Sequence, residues 1–250
     1  MKKKLLLIGG TDSSGGAGIA ADIQTAVKLG ASVRLAVNSV TAQTKKKMHY
    51  MHLIPVETFR AQMKHEMHAK LDGIKIGMLP NNDAVDEVVR FLQMHPTLPV
   101  VLDPVLETTS KGSLIIEDTK ENLLDNLFPL VSLITPNARE ASILSGQSSL
   151  DPNGAKKAAE FFISIGAKSV LIKGGHLKSI NCKDILLESV DRFTTFERKR
   201  FSNGSNCRGT GCRLATAITY FLAHGESLPT ACRKGGEFVA DYIEQDLNLK

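Results

Sequence analysis

The run Asn206-Cys207-Arg208-Gly209-Thr210-Gly211-Cys212-Arg213-Leu214 is where this chain concentrates chemistry. It sets Gly-Thr-Gly-Cys directly before an apolar, helix-spaced segment, Leu214 to Ala223. A small turn feeding a helix N-terminus aims several unpaired backbone N–H groups at one spot. The helix dipole adds partial positive charge there. An anion is the natural occupant. The Cys212 thiol lies at the same place, where a helix terminus favours the thiolate. An anion cradle beside a base is what phosphoryl transfer to a hydroxyl requires. Taken alone, the run reads at least as readily as a Gly-rich loop beside a buried thiol.

The elements that must position this turn follow from hydrophobic periodicity. Short apolar runs alternate with longer helical ones. Lys4 to Ile8, Ser32 to Val40, Gly73 to Leu79, Pro99 to Leu102, Leu130 to Ile134 and Ser169 to Ile172 read as strands. Ala17 to Leu29, Val56 to His68, Asp83 to Met94, Glu117 to Leu127, Ala155 to Ile165, Leu214 to Ala223 and Pro229 to Asp246 read as helices. Asp184 to Ser189 and Arg192 to Phe201 read as a hairpin. This alternation predicts an α/β protein with a largely parallel sheet covered on both faces. In such sheets ligands gather beyond the carboxyl ends of the strands. Gly9-Gly10-Thr11-Asp12, Gln43, Lys75, Asp103, Asn137 and Lys173 all fall at such ends. Together with the Gly-Thr-Gly-Cys turn they form a constellation that points to an enzyme.

Composition narrows the classes further. The 250 residues are 42% apolar and 23% charged, with no Trp, which fits a globular aliphatic core. No internal repeat or linker appears, so one domain over residues 1–250 is expected. No apolar run approaches the roughly 18–20 residues that span a bilayer. The Lys2-Lys3-Lys4 start meets only a four-residue apolar stretch, too short for a signal peptide and suited to a first strand. The net charge of +5 sits partly in Lys45-Lys46-Lys47 and Arg198-Lys199-Arg200, runs without interleaved aromatics. They read as solvated surface or as attraction for polyphosphates rather than as a nucleic-acid face. Four cysteines without zinc-finger spacing read as reduced thiols of a cytoplasmic protein.

Seven segments, in this order, carry a family resemblance: Gly-Gly-Thr-Asp-Ser-Ser-Gly-Gly-Ala-Gly (9–18), Thr-Ala-Gln (41–43), Lys-Ile-Gly-Met-Leu (75–79), Val-Leu-Asp-Pro-Val (101–105), Ile-Thr-Pro-Asn-x-x-Glu-Ala (134–141), Leu-Ile-Lys-Gly-Gly-His (171–176) and Gly-Thr-Gly-Cys (209–212). The chain resembles the hydroxymethylpyrimidine/phosphomethylpyrimidine kinases of thiamine biosynthesis, within the ribokinase-like superfamily. The resemblance implies a three-layer αβα sandwich around a mostly parallel sheet. It implies ATP-dependent phosphorylation of 4-amino-5-hydroxymethyl-2-methylpyrimidine and then of its monophosphate, with Mg²⁺, and a homodimer is expected. Gly209, Thr210 and Gly211 would then cradle the γ-phosphoryl group and Cys212 would take the hydroxyl proton. Lys173, Thr210 and Arg208 would meet ATP. Asp103, Glu140 and Asn137 are candidates for Mg²⁺ held largely through water, although Asn137 and Glu140 also fit a helix capping box. Gln43 offers the acceptor and donors that an aminopyrimidine edge matches. Gly10 and Asp12 begin the substrate pocket, and Met78 and Val105 would wall it. The Gly-rich 9–18 segment is no Walker A loop, since no Gly-Lys-Ser/Thr follows it.

The chain also departs from the family pattern. Arg208 and Arg213 stand where the family usually has His and Thr. Either they add phosphate contacts or they point to solvent. The family's Gln-Asn-Thr-x-Gly is here Gln43-Thr44-Lys45-Lys46-Lys47, which bears on substrate identity more than on reaction type. Two alternatives therefore accompany the kinase: a pyridoxal kinase, and a ligand-binding or regulatory relative without turnover.

Overall fold

The computed structural model describes residues 2–44, 47–106, 119–147, 151–176, 181–189, 191–201 and 207–248. Among the described residues nine strands form one sheet in the order β3-β2-β1-β4-β5-β6-β7-β8-β9. They are β1 Lys4–Gly10, β2 Ser32–Gln43, β3 Met48–Leu53, β4 Gly73–Ile76, β5 Val100–Leu102, β6 Leu133–Ile134, β7 Val170–Ile172, β8 Cys182–Ser189 and β9 Arg192–Arg198. The middle of the sheet, from β2 through β1, β4, β5 and β6 to β7, is parallel. The outer strands β3, β8 and β9 join antiparallel.

The helices are α1 Gly18–Lys28, α2 Val56–Glu66, α3 Asn82–Gln93, α4 Thr119–Asn122, α5 Ala138–Ser145, α6 Pro152–Ser164, α7 Thr210–Ala223 and α8 Leu228–Asn248. Strand alternation distributes them between two faces. In β1, Leu6 and Ile8 enter a core with Phe59 and Met63 of α2, Val85 and Phe91 of α3, and Phe162 of α6. Leu5 and Leu7 turn the other way, toward Ala26 of α1 and Ala223 of α7. Val101, Leu133 and Leu171 pack on that second side against Leu214 and Ile218 of α7 and Ala231 and Cys232 of α8. The expected three-layer αβα sandwich is therefore present. No described helix is long and apolar enough to cross a membrane.

Several boundaries differ from the sequence expectation for identifiable reasons. Strand β3 was not expected. It is a sheet-edge strand in which His49, Tyr50 and His52 are exposed, so it carries no apolar run. The helix expected over Glu117 to Leu127 is, in its described part, one α turn. It widens over Leu123–Leu127, where the Phe128 N–H reaches the Leu123 carbonyl, and tightens at Phe128–Leu130 around Pro129. Glu117 and Asp118, like Lys45, Lys46 and Asn206, lie outside the described residues. Helix α7 starts at Thr210, four residues before the apolar stripe does, so the Gly-Thr-Gly-Cys run is its first turn rather than a loop ahead of it. Helix α1 ends as expected: Gly30, at φ +92°, donates to the Val27 carbonyl.

Candidate active site

The strand ends and the start of α7 converge at one edge of the sheet. Gly209 is the N-cap of α7 and takes φ +69°, a left-handed conformation that glycine adopts without strain. A Cβ there would also run into the Gly16 carbonyl. Gly209 thus lets the α7 N-terminus press against the loop after β1. Thr210, Gly211 and Cys212 form the first turn of the helix, whose N–H groups have no intrahelical partner.

Lys173, one residue past β7, reaches this turn. Its Nζ lies 2.6 Å from Asp103 Oδ1 and 3.7 Å from Glu140 Oε2. A Cβ on Gly211 would sit 3.1 Å from Lys173 Nζ and 3.4 Å from Asp103 Oδ2. The lysine, the aspartate and the helix N-terminus therefore face one another across the space that the missing Gly211 side chain leaves. Burial opposes the Lys173 charge, but Asp103 and Glu140 overcome it and hold its pKa above the ordinary value. Lys173 is a fixed cation at neutral pH. Burial raises the Glu140 carboxyl to about 7, against the pull of Lys173 and with the help of Asp103.

The oxygen donors expected for Mg²⁺ are partly engaged elsewhere. Asn137 Oδ1 accepts the N–H groups of Arg139 and Glu140, both at 2.9 Å. Glu140 Oε2 accepts the Asn137 N–H at 2.7 Å and completes a capping box at α5. The capping alternative therefore holds for both residues, and two bonds fill the acceptor capacity of Asn137 Oδ1. Asp103 Oδ1 is occupied by the Lys173 ammonium. No group of three or more His, Cys, Asp or Glu residues able to cage a metal occurs among the described residues. Glu140, with a second carboxylate oxygen outside these bonds, suits a hydrated Mg²⁺, an ion that retains several waters.

Cys212 is partly exposed. The expectation that the helix terminus lowers its pKa is corrected here. Burial dominates and pushes the thiol up to about 11, against the Lys75 ammonium and the Gly18 N–H. Asp22 and Asp103 add to the rise.

The loop after β1 is built on Asp12, which is 5% exposed. Its Oδ1 accepts from Ser14 N at 2.8 Å and Ser14 Oγ at 2.7 Å, and its Oδ2 accepts from Ala17 N at 2.9 Å. Asp12 was expected to touch substrate. Here it braces the loop, because a short carboxylate matches the N–H groups that follow it. Gly10 is needed for close packing, since a Cβ would strike Ser39 Oγ and the Met78 methyl, the latter at 2.7 Å. Met78 is buried beside it, and Val105 is half-buried just past β5.

Gln43 closes β2 with its amide Nε2 donating to Thr41 Oγ1 at 3.0 Å. Its Oε1 accepts from Arg208 at 3.0 Å. The same guanidinium donates to the Thr44 carbonyl at 2.6 Å and lies 3.3 Å from Asp12 Oδ2. Arg208 was expected on the ATP phosphates. It reaches instead into the β1 and β2 loops, where two acceptors and a carboxylate outcompete solvent. Arg213, 5% exposed, donates to the Gly16 carbonyl at 3.1 Å and to Gln24 Oε1 at 2.7 Å, and stacks 4.1 Å from the Tyr242 ring centre. Neither arginine points to solvent.

Sequence reasoning missed two residues of this region. Asp22 and Thr216 lie buried beneath the α7 N-terminus, bonded to each other at 2.9 Å. A signal was available: Asp22 falls on the same helical stripe as Ile19 and Ala26, and Thr216 stands four residues after Cys212.

Comparison with known proteins fits this arrangement. The family model described as phosphomethylpyrimidine kinase matches residues 12–250. The hydroxymethylpyrimidine/phosphomethylpyrimidine kinase of Haemophilus influenzae is 36% identical over 253 residues, covering 99% of this chain and 93% of that protein. The crystal structure of phosphomethylpyrimidine kinase from Clostridium difficile superposes with a TM-score of 0.84 at 30% identity, over 97% of this chain and all of that one. Pyridoxal kinase from Staphylococcus aureus, solved with AMP-PCP and pyridoxal, gives a TM-score of 0.86 at 29% identity, over 96% of this chain and 87% of that one. With the family model matched over residues 12–250 and the fold shared, the chain belongs to the phosphomethylpyrimidine kinase family.

Proposed function

We propose that this protein transfers the γ-phosphoryl group of ATP to the hydroxymethyl group of 4-amino-5-hydroxymethyl-2-methylpyrimidine, and then phosphorylates the monophosphate. The observation that carries the reading is the meeting of the α7 N-terminus, Lys173 and Asp103 at Gly211, one residue before Cys212. A helix N-terminus and a fixed ammonium stabilise the charge on a transferring phosphoryl group. The thiolate of Cys212 takes the hydroxyl proton, and the freed oxygen bonds to the γ-phosphorus. The bond from that phosphorus to the bridging oxygen breaks, and its electron pair leaves on ADP. Lys173 neutralises the phosphate oxygens and Asp103 holds Lys173 in place. Glu140 would hold Mg²⁺ through water, and the ion when bound would add charge neutralisation on the phosphates. Gln43 orients the pyrimidine edge, with Met78 and Val105 against the ring.

Nucleotide binding is supported by the AMP-PCP complex of the S. aureus neighbour. That neighbour also holds pyridoxal, which supports pyridoxal phosphorylation as a second reading. Both substrates carry a hydroxymethyl group on a nitrogen heterocycle, so the phosphoryl-transfer machinery serves either. The test is ADP release from ATP with the pyrimidine, in native protein and in Cys212→Ala. Loss of a general base lowers the rate about 10²–10⁴-fold. An unchanged rate removes Cys212 from the mechanism.

A further inference from the structure

Lys75 interrupts the buried run of β4 between Ile74 and Ile76. In register it stands beside Leu7 of β1 and Val101 of β5, whose side chains face α1, α7 and α8. It therefore lies within the sheet, on the side from which Cys212 approaches, rather than beyond a strand end. Its Nζ is 2.7 Å from Asp22 Oδ2, and both side chains are 1% exposed. Thr216 donates to Asp22 Oδ1 at 2.9 Å and stands one helical turn beyond Cys212, on the same face of α7. Gly77 leaves the room, since a Cβ there would come within 2.8 Å of Lys75 Nζ.

A buried ion pair of this kind rarely adds stability over apolar residues of the same volume. Its placement suits another task. We propose that Lys75, clamped by Asp22 and Thr216, is a positioning residue that holds positive charge beneath Cys212 and thereby sets the ionisation of that thiol. The inference rests on the reading of Cys212 as the proton acceptor. Other groups facing the thiol are Asp22 on α1, Asp103 after β5, Lys173 after β7 and the Gly18 N–H. Of the charges that act on the thiol from this pair, Lys75 outweighs Asp22, so the net effect favours the thiolate. Lys75 itself keeps its proton, because Asp22, Cys212 and Asp103 together overcome the cost of burial.

Lys75→Met alone strands Asp22 without a partner, and Asp22→Asn alone strands the buried ammonium. The informative comparison is native protein against Lys75→Met/Asp22→Asn, which removes both charges together. Alkylation of Cys212 by iodoacetamide is followed against pH, with the modified site located by peptide mass. Because Lys75 outweighs Asp22 at the thiol, the midpoint in the double variant rises by about half a pH unit, and Cys212 reacts about threefold more slowly at pH 7. The pH profile of kcat/KM shifts the same way. Coincident midpoints in native protein and double variant would overturn the inference. Alkylation needs no turnover, so this result stands apart from the fate of the base assignment. Retained turnover in Cys212→Ala would end that assignment without touching the Lys75 measurement.

Discussion

Replacing Gly211 by Ala separates function from stability at this site. Gly211 is the second residue of α7 and does not hold a left-handed conformation. Alanine is therefore free to occupy it, and in a helix Ala exceeds Gly by about 0.5–1 kcal/mol. The new methyl would lie 3.1 Å from Lys173 Nζ and 3.4 Å from Asp103 Oδ2. The lysine tip must give by a few tenths of an ångström, which its flexible stem allows. Net stability then stays level or rises by about 0.5 kcal/mol, which is about 1–2 °C in Tm for a chain of this size. The methyl also fills the space between the ammonium and the helix N–H groups, where the proposed mechanism puts the phosphoryl group. Ala keeps the backbone N–H, but its methyl would push the phosphoryl group away from these donors, and being deprived of one such donor costs about 10²–10³-fold in kcat. The assay pairs a thermal melt with ADP release at saturating ATP. An unchanged Tm with a fall of about 10²-fold in turnover is expected. Turnover within threefold of native at an unchanged Tm would refute the placement of the phosphoryl group at Gly211.

Other expectations follow from the same geometry. Arg213→Met removes donors to the Gly16 carbonyl and Gln24 and a cation–π contact with Tyr242, so it should lower the urea-unfolding free energy by about 2–4 kcal/mol while KM for ATP changes little. Arg208→Ala releases Gln43 and Thr44 and should raise KM for the pyrimidine about tenfold, with KM for ATP unchanged in the same steady-state assay. With the Cys212 thiol raised to about 11, the active thiolate grows as pH rises, so kcat/KM should climb from pH 6 to 9; a flat profile would contradict the base assignment. Asn137→Ala removes the α5 cap and should cost about 1 kcal/mol in thermal unfolding.

Much of the architecture was legible because buried parallel strands and amphipathic helices write their periods plainly. The Leu5–Ile8 run and the Ile19, Ala26 stripe of α1 are buried as the pattern predicts. Strand β3 was not legible, because one edge of it and much of its surface stay in water. Lys173 and Asp103 could be read from their positions at strand ends, and they meet at 2.6 Å. The directions of Arg208 and Arg213 could not be read. Each side chain is long enough to reach several partners, and only the tertiary approach of the β1 loop and α8 decides among them. The spacing of Asp22 and Thr216 could be read, but their partnership could not, because it exists only once β4 brings Lys75 between α1 and α7.

Substrate choice is the point on which the motif order and the altered 44–47 loop pull apart. The most direct measurement is the specific turnover of ATP with each of three acceptors, the pyrimidine, its monophosphate and pyridoxal, with products identified by mass. Phosphoryl transfer by a pyrimidine kinase predicts mono- and diphosphate products, with kcat/KM for the pyrimidine above that for pyridoxal. Pyridoxal phosphate as the preferred product, or no ADP with any of the three, would contradict it.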